Sequence, residues 1–256
     1  MRLIEKLLRK NWTLYIFSRY IYNIIFVKFF FEPECEIFDF LKFKRKLIII
    51  DVGSSDGSFS KNLSRKFYKS KFYCFEPLNH LHKKFKLYNK NNLKFFDAAC
   101  STGKGIAKIY TPYKKIFNKN FYLKFFSSIE KKSIYSNIKK YLNKNKFYFD
   151  YHVTTIKLRS LDSFKLKPNI IKIDVEGYED HVIKGSINTI KKYLPLILIE
   201  YPSKNIDNIL YKVGYDKYQY NRRDKKLKKI INNNSKSYNY LFVNKKNKNL
   251  FLKKIF

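Results

Sequence analysis

Ile48-Ile49-Ile50-Asp51-Val52-Gly53-Ser54-Ser55-Asp56-Gly57 is the stretch on which the reading of this 256-residue chain turns. Leu47 to Ile50 is a short, unbroken apolar run. Such a run suits a strand buried on both faces, as strands in the middle of a parallel sheet are. It ends in an acid and a turn carrying two of the chain's seven glycines. A tight turn needing a positive φ asks for one glycine. Two at this spacing, between a strand and the helix expected over Ser58–Phe67, point to a ligand touching the backbone at the strand's carboxyl end.

The same rhythm continues outward. Phe72 to Phe75 reads as a second strand ending at Glu76-Pro77, Asn79 to Asn89 as a helix, and Leu93 to Cys100 as a third strand. Residues 106–151 are rich in Lys, Asn and aromatics with a poor hydrophobic period, and read as an insertion carrying a hairpin and short helices over the ligand face. Val153–Leu158 resumes as a strand, and Ser160-Leu161-Asp162 opens a short helix. Asn169–Val175 is a buried strand, Tyr178–Tyr193 one helix, and Leu196–Tyr201 a further strand. Asn205–Val213 is helical with Gly214 as its C-cap. Strands at Lys217–Tyr220 and Tyr238–Asn244 close the chain around a polar loop, Arg222–Ser237. Alternating strands and helices give an α/β fold, a doubly wound and mostly parallel sheet with an antiparallel C-terminal hairpin. The expected organisation is a helical extension over 1–43, the main domain over 44–246 and a basic tail over 247–256.

The formal charge of +35 invites a nucleic-acid reading. The charge is mostly Lys, spread along the whole chain, and Asn, Ile, Phe and Tyr are abundant beside it. All five residue types have AT-rich codons, so coding bias accounts for the set. Arg, the usual reader of bases and phosphates, is scarce and unclustered. No specific nucleic-acid partner is expected, and anionic lipid or acidic glycan remains the alternative use of the charge. Cys35, Cys74 and Cys100 are too few and scattered for a disulfide framework or a zinc site, and a reducing, cytoplasmic setting fits. The four histidines form no ligand cluster. Asn11 to Val27 is apolar but interrupted by Arg19, short of the roughly 20 uncharged residues that span a bilayer. It reads either as a helix packed on the domain or as an interfacial helix making peripheral contact with the inner membrane.

What ligand suits the first turn? The dinucleotide fingerprint G-x-G-x-x-G lacks its second glycine here, and Asp51 sets a carboxylate where phosphates would lie. That charge repels a dianion and suits the ammonium group of S-adenosylmethionine, which has no phosphate. Gly53, Ser54 and Gly57 then form the cofactor turn. Glu76, before Pro77, can accept both ribose hydroxyls, or is an exposed acid at a Pro turn. Asp97, before Ala98, can accept the exocyclic amine of adenine, or is an ordinary strand-end acid.

These residues in this order resemble the FkbM family of S-adenosylmethionine-dependent methyltransferases. The resemblance runs through IIIDVGSSDGSFS (48–60), YCFEP (73–77), DAACSTGKG (97–105), FSSIEKKS (126–133), TIKLRSLDSF (155–164), IIKIDVEGYEDHVIKG (170–185) and PLILIE (195–200). It implies a Rossmann-like class I methyltransferase fold and O-methylation of sugar or polyketide-type hydroxyls. The family's first motif usually reads DVGAN-x-G, whereas this chain has Ser54-Ser55.

Methyl transfer to a hydroxyl needs the nucleophile held against the methyl carbon and benefits from a general base. Lys172, Asp174 and Glu176 alternate at the end of one strand, so a period of two sets them on one face. That strand is expected beside the first, across the topological switch point. Asp174 is the leading base or acceptor-orienting residue, Glu176 the second, and Lys172 their charge partner, with Gly177 allowing the turn. Glu176, Glu179 and Asp180 also suit a helix N-terminus with no catalytic role. Glu200 ends the next strand as a candidate acceptor contact. Hard oxygens of Asp174, Glu176 and Glu200 suit magnesium, but no metal is assigned. The expected activity is O-methylation of a sugar hydroxyl in surface-glycan biosynthesis. The alternatives are a lipid or small-molecule hydroxyl, a basic RNA-binding relative, and a catalytically silent cofactor-binding module.

Overall fold

The computed structural model describes residues 37–38, 46–78, 92–116, 119–123, 126–142, 149–221, 226–230 and 239–248. In chain order the elements are β1 (Ile48–Val52), α1 (Ser58–Lys66), β2 (Lys71–Phe75), β3 (Leu93–Phe96), β4 (Ala99–Cys100), β5 (Gly105–Ile116), β6 (Lys119–Tyr122), α2 (Lys131–Leu142), β7 (Asp150–Arg159), β8 (Ile170–Ile173), α3 (Glu179–Lys184), α4 (Ile187–Tyr193), β9 (Leu196–Glu200), α5 (Lys204–Lys212), β10 (Tyr215–Asn221), β11 (Lys226–Lys229) and β12 (Asn239–Asn244). Described residues within Ala107–Thr155 form one compact unit, and those within Glu32–Ile106 and Ile156–Phe256 form the other.

The larger unit is built on an eight-stranded sheet in the order β11-β10-β12-β9-β8-β1-β2-β3. β3, β2, β1, β8 and β9 are mutually parallel, while β12 runs antiparallel to both β9 and β10. This is the expected doubly wound arrangement, with chain order reversing between β1 and β8. The central strands are apolar throughout because both faces are covered. Ile49, Ile170, Leu196 and Leu198 pack on one face with Phe59 and Leu63 of α1. Ile50, Ile171, Ile197 and Ile199 pack on the other, with Val182 and Ile183 of α3, Ile190 of α4, and Ile206 and Leu210 of α5. Strand alternation thus feeds two hydrophobic layers from one run of isoleucines. The Ser203 hydroxyl caps α5 by accepting from the Ile206 N–H at 3.2 Å. Gly214, just beyond that helix, has φ 89°, as a helix-ending glycine does.

The described part of the smaller unit joins β5 and β6 as an antiparallel hairpin, with Tyr113 opposite Tyr122. Ile134 and Ile138 of α2 pack with Leu123 and Phe126, and the Lys131 ammonium lies over the rings of Tyr110 and Tyr151. α2 has twelve residues, longer than the short helices expected of the insertion.

Four expected boundaries change. The strand expected over Leu93–Cys100 divides at Asp97-Ala98, where the chain leaves β2 and pairs β4 with β7 instead, Ala99 opposite Leu158. The helix expected over Tyr178–Tyr193 is two. A β-carbon on Gly185 would stand 1.8 Å from the Ser101 carbonyl oxygen, so the backbone packs there too closely for a continuous helix face. Asp162 then caps α4 from a distance, accepting from the Asn188 and Thr189 N–H groups. The polar segment Arg222–Ser237 contains β11, which pairs with β10, Tyr220 opposite Leu227. The strand expected over Asn169–Val175 stops at Ile173, so Asp174 and Glu176 lie beyond it. The N-terminal helix, the Asn79–Asn89 helix, Cys35 and most of the basic tail lie outside the described residues.

Candidate active site

The β1–α1 turn is shaped by backbone. The Gly53 and Ser54 N–H groups both donate to the Phe75 carbonyl, at 2.9 and 3.1 Å, tying the turn to the end of β2. Gly53 has φ 75°, and a β-carbon there would stand 1.8 Å from the Asp174 carbonyl oxygen. Only glycine fits, on both counts. Ser55 follows at φ 49°, a left-handed conformation that costs a non-glycine residue about 1–2 kcal/mol. Gly57 (φ 65°) leads into α1, whose first turn is capped by Asp56 accepting from the Ser58 N–H and hydroxyl.

Two buried carboxylates brace this region. Asp51 is fully buried, accepts from the Ser60 hydroxyl at 2.7 Å, and has its Oδ1 3.8 Å from the Lys172 ammonium. Burial pushes its carboxyl up, while Lys172 and Ser60 pull it down. It is enclosed by protein, with Oδ1 left without a hydrogen-bond partner, where an open carboxylate was expected beside a ligand ammonium. Glu76, also buried, accepts from the Ser55 N–H through one oxygen and from the Leu78 N–H through the other, both at 3.0 Å. Burial raises its carboxyl to about 7 against those two hydrogen bonds. It locks the glycine turn to the end of β2, and each oxygen keeps a lone pair for a ligand hydroxyl. Pro77 follows it, half-buried.

Beyond β8 the chain turns sharply. Glu176 has φ 52° and Gly177 φ 101°. Glu179, from the first turn of α3, folds back so that its Oε1 accepts from the Val175 and Gly177 N–H groups, at 3.3 and 3.1 Å. Burial raises the Glu179 carboxyl to about 7. Neither the Glu179 clamp nor the Ser60 bond to Asp51 was legible in the sequence, because each depends on where a turn sends its side chain.

The expected cluster forms. The Lys172 ammonium, buried over the Phe59 ring at 5.1 Å, donates to Asp174 Oδ2 at 3.0 Å. Carboxylate oxygens of Asp174, Glu176 and Glu200 all lie within 4.8 Å of one another. The Asp174 side chain is about one-third exposed, at 32 %. Lys172 meets Asp174 as expected, although Asp174 lies just past the end of the strand. Glu176 arrives by its left-handed turn instead. Burial works to raise the Asp174 carboxyl, but Lys172 and a hydrogen bond from Glu200 outweigh it and hold Asp174 below the usual range. Burial, then Asp174 itself, pushes Glu200 up to about 10. The two carboxyls hydrogen-bond each other, an arrangement that favours one proton between them.

Asp97 and Ala98 line a cavity of about 520 Å³ together with Phe96, Phe164, Lys157 and Arg159. Phe96 stacks on Phe75 at 4.8 Å, and Phe164 meets both edge-on. His181 stacks on Tyr178 with ring centroids 4.0 Å apart, and the Tyr178 hydroxyl bonds the Ser101 hydroxyl at 3.0 Å. Cys74 and Cys100 are free, buried thiols.

These residues fit S-adenosylmethionine. The buried Ser54 hydroxyl has no hydrogen-bond partner, and the buried Asp51 and Glu76 set carboxylates beside the turn, where a pyrophosphate would be repelled. The sequence matches the model of the methyltransferase FkbM domain over residues 51–242, which includes both turns. No curated protein matches the chain. Among solved structures it is similar to the methyltransferase FkbM of Methylobacillus flagellatus, with a TM-score of 0.47 and 13 % identity over 80 % of this chain and 45 % of that one. The chain therefore spans less than half the length of that protein. It is similar also to a precorrin-6Y C5,15-methyltransferase of Geobacter metallireducens, with a TM-score of 0.41 and 11 % identity over 84 % of this chain and 89 % of that one. A third is an S-adenosylmethionine-dependent O-methyltransferase of Thermotoga maritima, with a TM-score of 0.39 and 12 % identity over 84 % and 66 % of the two chains.

Proposed function

We propose that this chain, which belongs to the methyltransferase FkbM domain family, methylates a sugar hydroxyl of a surface glycan or of its lipid-linked precursor. Family membership makes S-adenosylmethionine the methyl donor, and its sulfonium supplies an electrophilic methyl group. Gly53, Ser54, Gly57, Glu76 and Pro77 would hold its amino-acid and ribose parts, with Asp97 and Ala98 at the adenine. Asp51 shapes that turn from beneath, through Ser60 and Lys172.

The observation that carries the acceptor side is the Asp174–Glu176–Glu200 group beside Gly53. Carboxyl oxygens at this spacing accept hydrogen bonds from adjacent hydroxyls, as a sugar presents them. Lys172 keeps Asp174 ionised, and Glu200 orients it by donating its proton. A carboxylate held this low is a weak base toward a free alcohol. The hydroxyl grows strongly acidic as its oxygen gains the methyl group, so Asp174 takes the proton late in the transfer. Before that it aligns the oxygen, where proximity contributes most.

Among the described residues no helix is long and apolar enough to cross a membrane. The proposal of a cytoplasmic protein peripheral at the inner membrane rests on the Asn11–Val27 segment and the basic surface alone. A labelled-methyl transfer screen over glycans tests the activity. Transfer into a glycan fraction is expected, falling about 100-fold in Asp174→Asn with S-adenosylmethionine affinity retained. Equal turnover by that variant would remove Asp174 from the mechanism.

A further inference from the structure

Glu176 has a problem of geometry. It is a non-glycine residue in the left-handed region, followed by Gly177 at φ 101°, so two successive positive φ angles must hold for its carboxylate to join Asp174 and Glu200. Gly177 takes its positive φ without cost, but Glu176 does not. The fixing contact comes from outside the turn. The amides on either side of Glu176, those of Val175 and Gly177, both donate to a single oxygen of Glu179. Glu179 is 7 % exposed, with this oxygen directed at backbone rather than at the cleft. On the far side of the turn, the Tyr178 hydroxyl bonds Ser101 and its ring stacks on His181.

We infer that Glu179 is a positioning residue, whose carboxyl oxygen holds the 174–178 turn so that Glu176 faces the acceptor; its catalytic consequence rests on the activity proposed above. The carboxyl accepts from the two amides that flank Glu176, beside the bond from its own N–H at the helix start. The accepting role and the charge separate cleanly, because glutamine keeps the accepting oxygen and loses the charge.

The experiment compares Glu179→Gln and Glu179→Ala with the wild type in three measurements on the full chain. Amide hydrogen exchange is followed in peptides covering 174–178 and 51–57. S-adenosylmethionine affinity is measured by calorimetry. Labelled-methyl transfer is measured with a mixture of p-nitrophenyl glycosides as acceptor. Glu179→Ala is expected to speed exchange about tenfold in 174–178 and leave 51–57 unchanged. It is expected to keep cofactor affinity within twofold and to lower kcat by about 10- to 100-fold, the scale of a small misplacement of reacting groups. Glu179→Gln is expected to restore both exchange and kcat. Unchanged exchange in Glu179→Ala, or a Gln variant that behaves like the Ala variant, overturns the inference. Absence of transfer by the wild type counts against the proposed acceptor instead, and exchange still decides the role of Glu179.

Discussion

Gly53 and Asp174 touch backbone to backbone across the switch point between β1 and β8, so closely that a β-carbon on Gly53 would lie 1.8 Å from the Asp174 carbonyl oxygen. The β1–α1 turn and the turn that follows β8 are therefore in direct backbone contact. Gly53→Ala adds left-handed strain to a collision with backbone, and is expected to destabilise the fold by about 3 kcal/mol. Urea unfolding should show it, and calorimetry should show loss of S-adenosylmethionine binding. Wild-type affinity in that variant would mean the turn does not carry the cofactor.

Ser55 is the converse case. Its φ of 49° leaves it strained, and asparagine adopts this conformation more readily. Only the Ser55 backbone N–H bonds Glu76, so Ser55→Asn keeps that contact. The variant is expected to gain about 0.5–1 kcal/mol in urea unfolding. A loss of stability would show that the strain is relieved in some other way.

Lys172 serves two acids at once, Asp174 at 3.0 Å and the fully buried Asp51 at 3.8 Å. Lys172→Met leaves a buried carboxylate unanswered and is expected to cost about 3–5 kcal/mol. Adding Asp51→Asn should recover part of that loss. Strict additivity of the two substitutions would show that the pair is not coupled.

The pH dependence has a definite sign. Glu76 and Glu179 are raised to about 7 and Glu200 to about 10, each chiefly by burial, from a value of 4.5 when unfolded. Between those limits the native state binds more protons than the unfolded chain, so these groups make stability fall as pH rises from about 4.5. Asp174 acts oppositely, but its contribution is lost only below its ordinary value of 3.8. With about 0.5 M salt to screen the net charge, the urea midpoint should be higher at pH 5.5 than at pH 8. Glu200→Gln should flatten the slope. A midpoint that climbs with pH in the wild type contradicts the burial of these acids.

Much of this was readable from residue order. Runs such as Ile48–Ile50 and Ile170-Ile171 announce strands covered on both faces, and the neighbours of β1 follow from the alternation of strands with helices. Lys172 and Asp174 meet two residues apart, as expected, although the strand itself stops at Ile173 between them. What escaped the sequence depends on distant partners. Glu179 looks like an acid placed for a helix dipole, and only the folded turn shows it clasping two amides. Asp51 looks like a ligand carboxylate until Ser60 and Lys172 are seen to enclose it. The split between α3 and α4 comes from Ser101 pressing on Gly185, a contact between residues far apart in the chain.

The position of β12 bears on how the molecule is made. The strand formed from residues 239–244 sits between β9 and β10, both of which are synthesised earlier. Until β12 is made, β9 is paired only with β8 and β10 only with β11, so each keeps one open edge, at Leu198 and at Tyr218. Truncation before residue 239 would remove the keystone of the sheet rather than trim its rim. Assembly of this half of the protein thus waits on β12, and its half-made state is the one most exposed to aggregation.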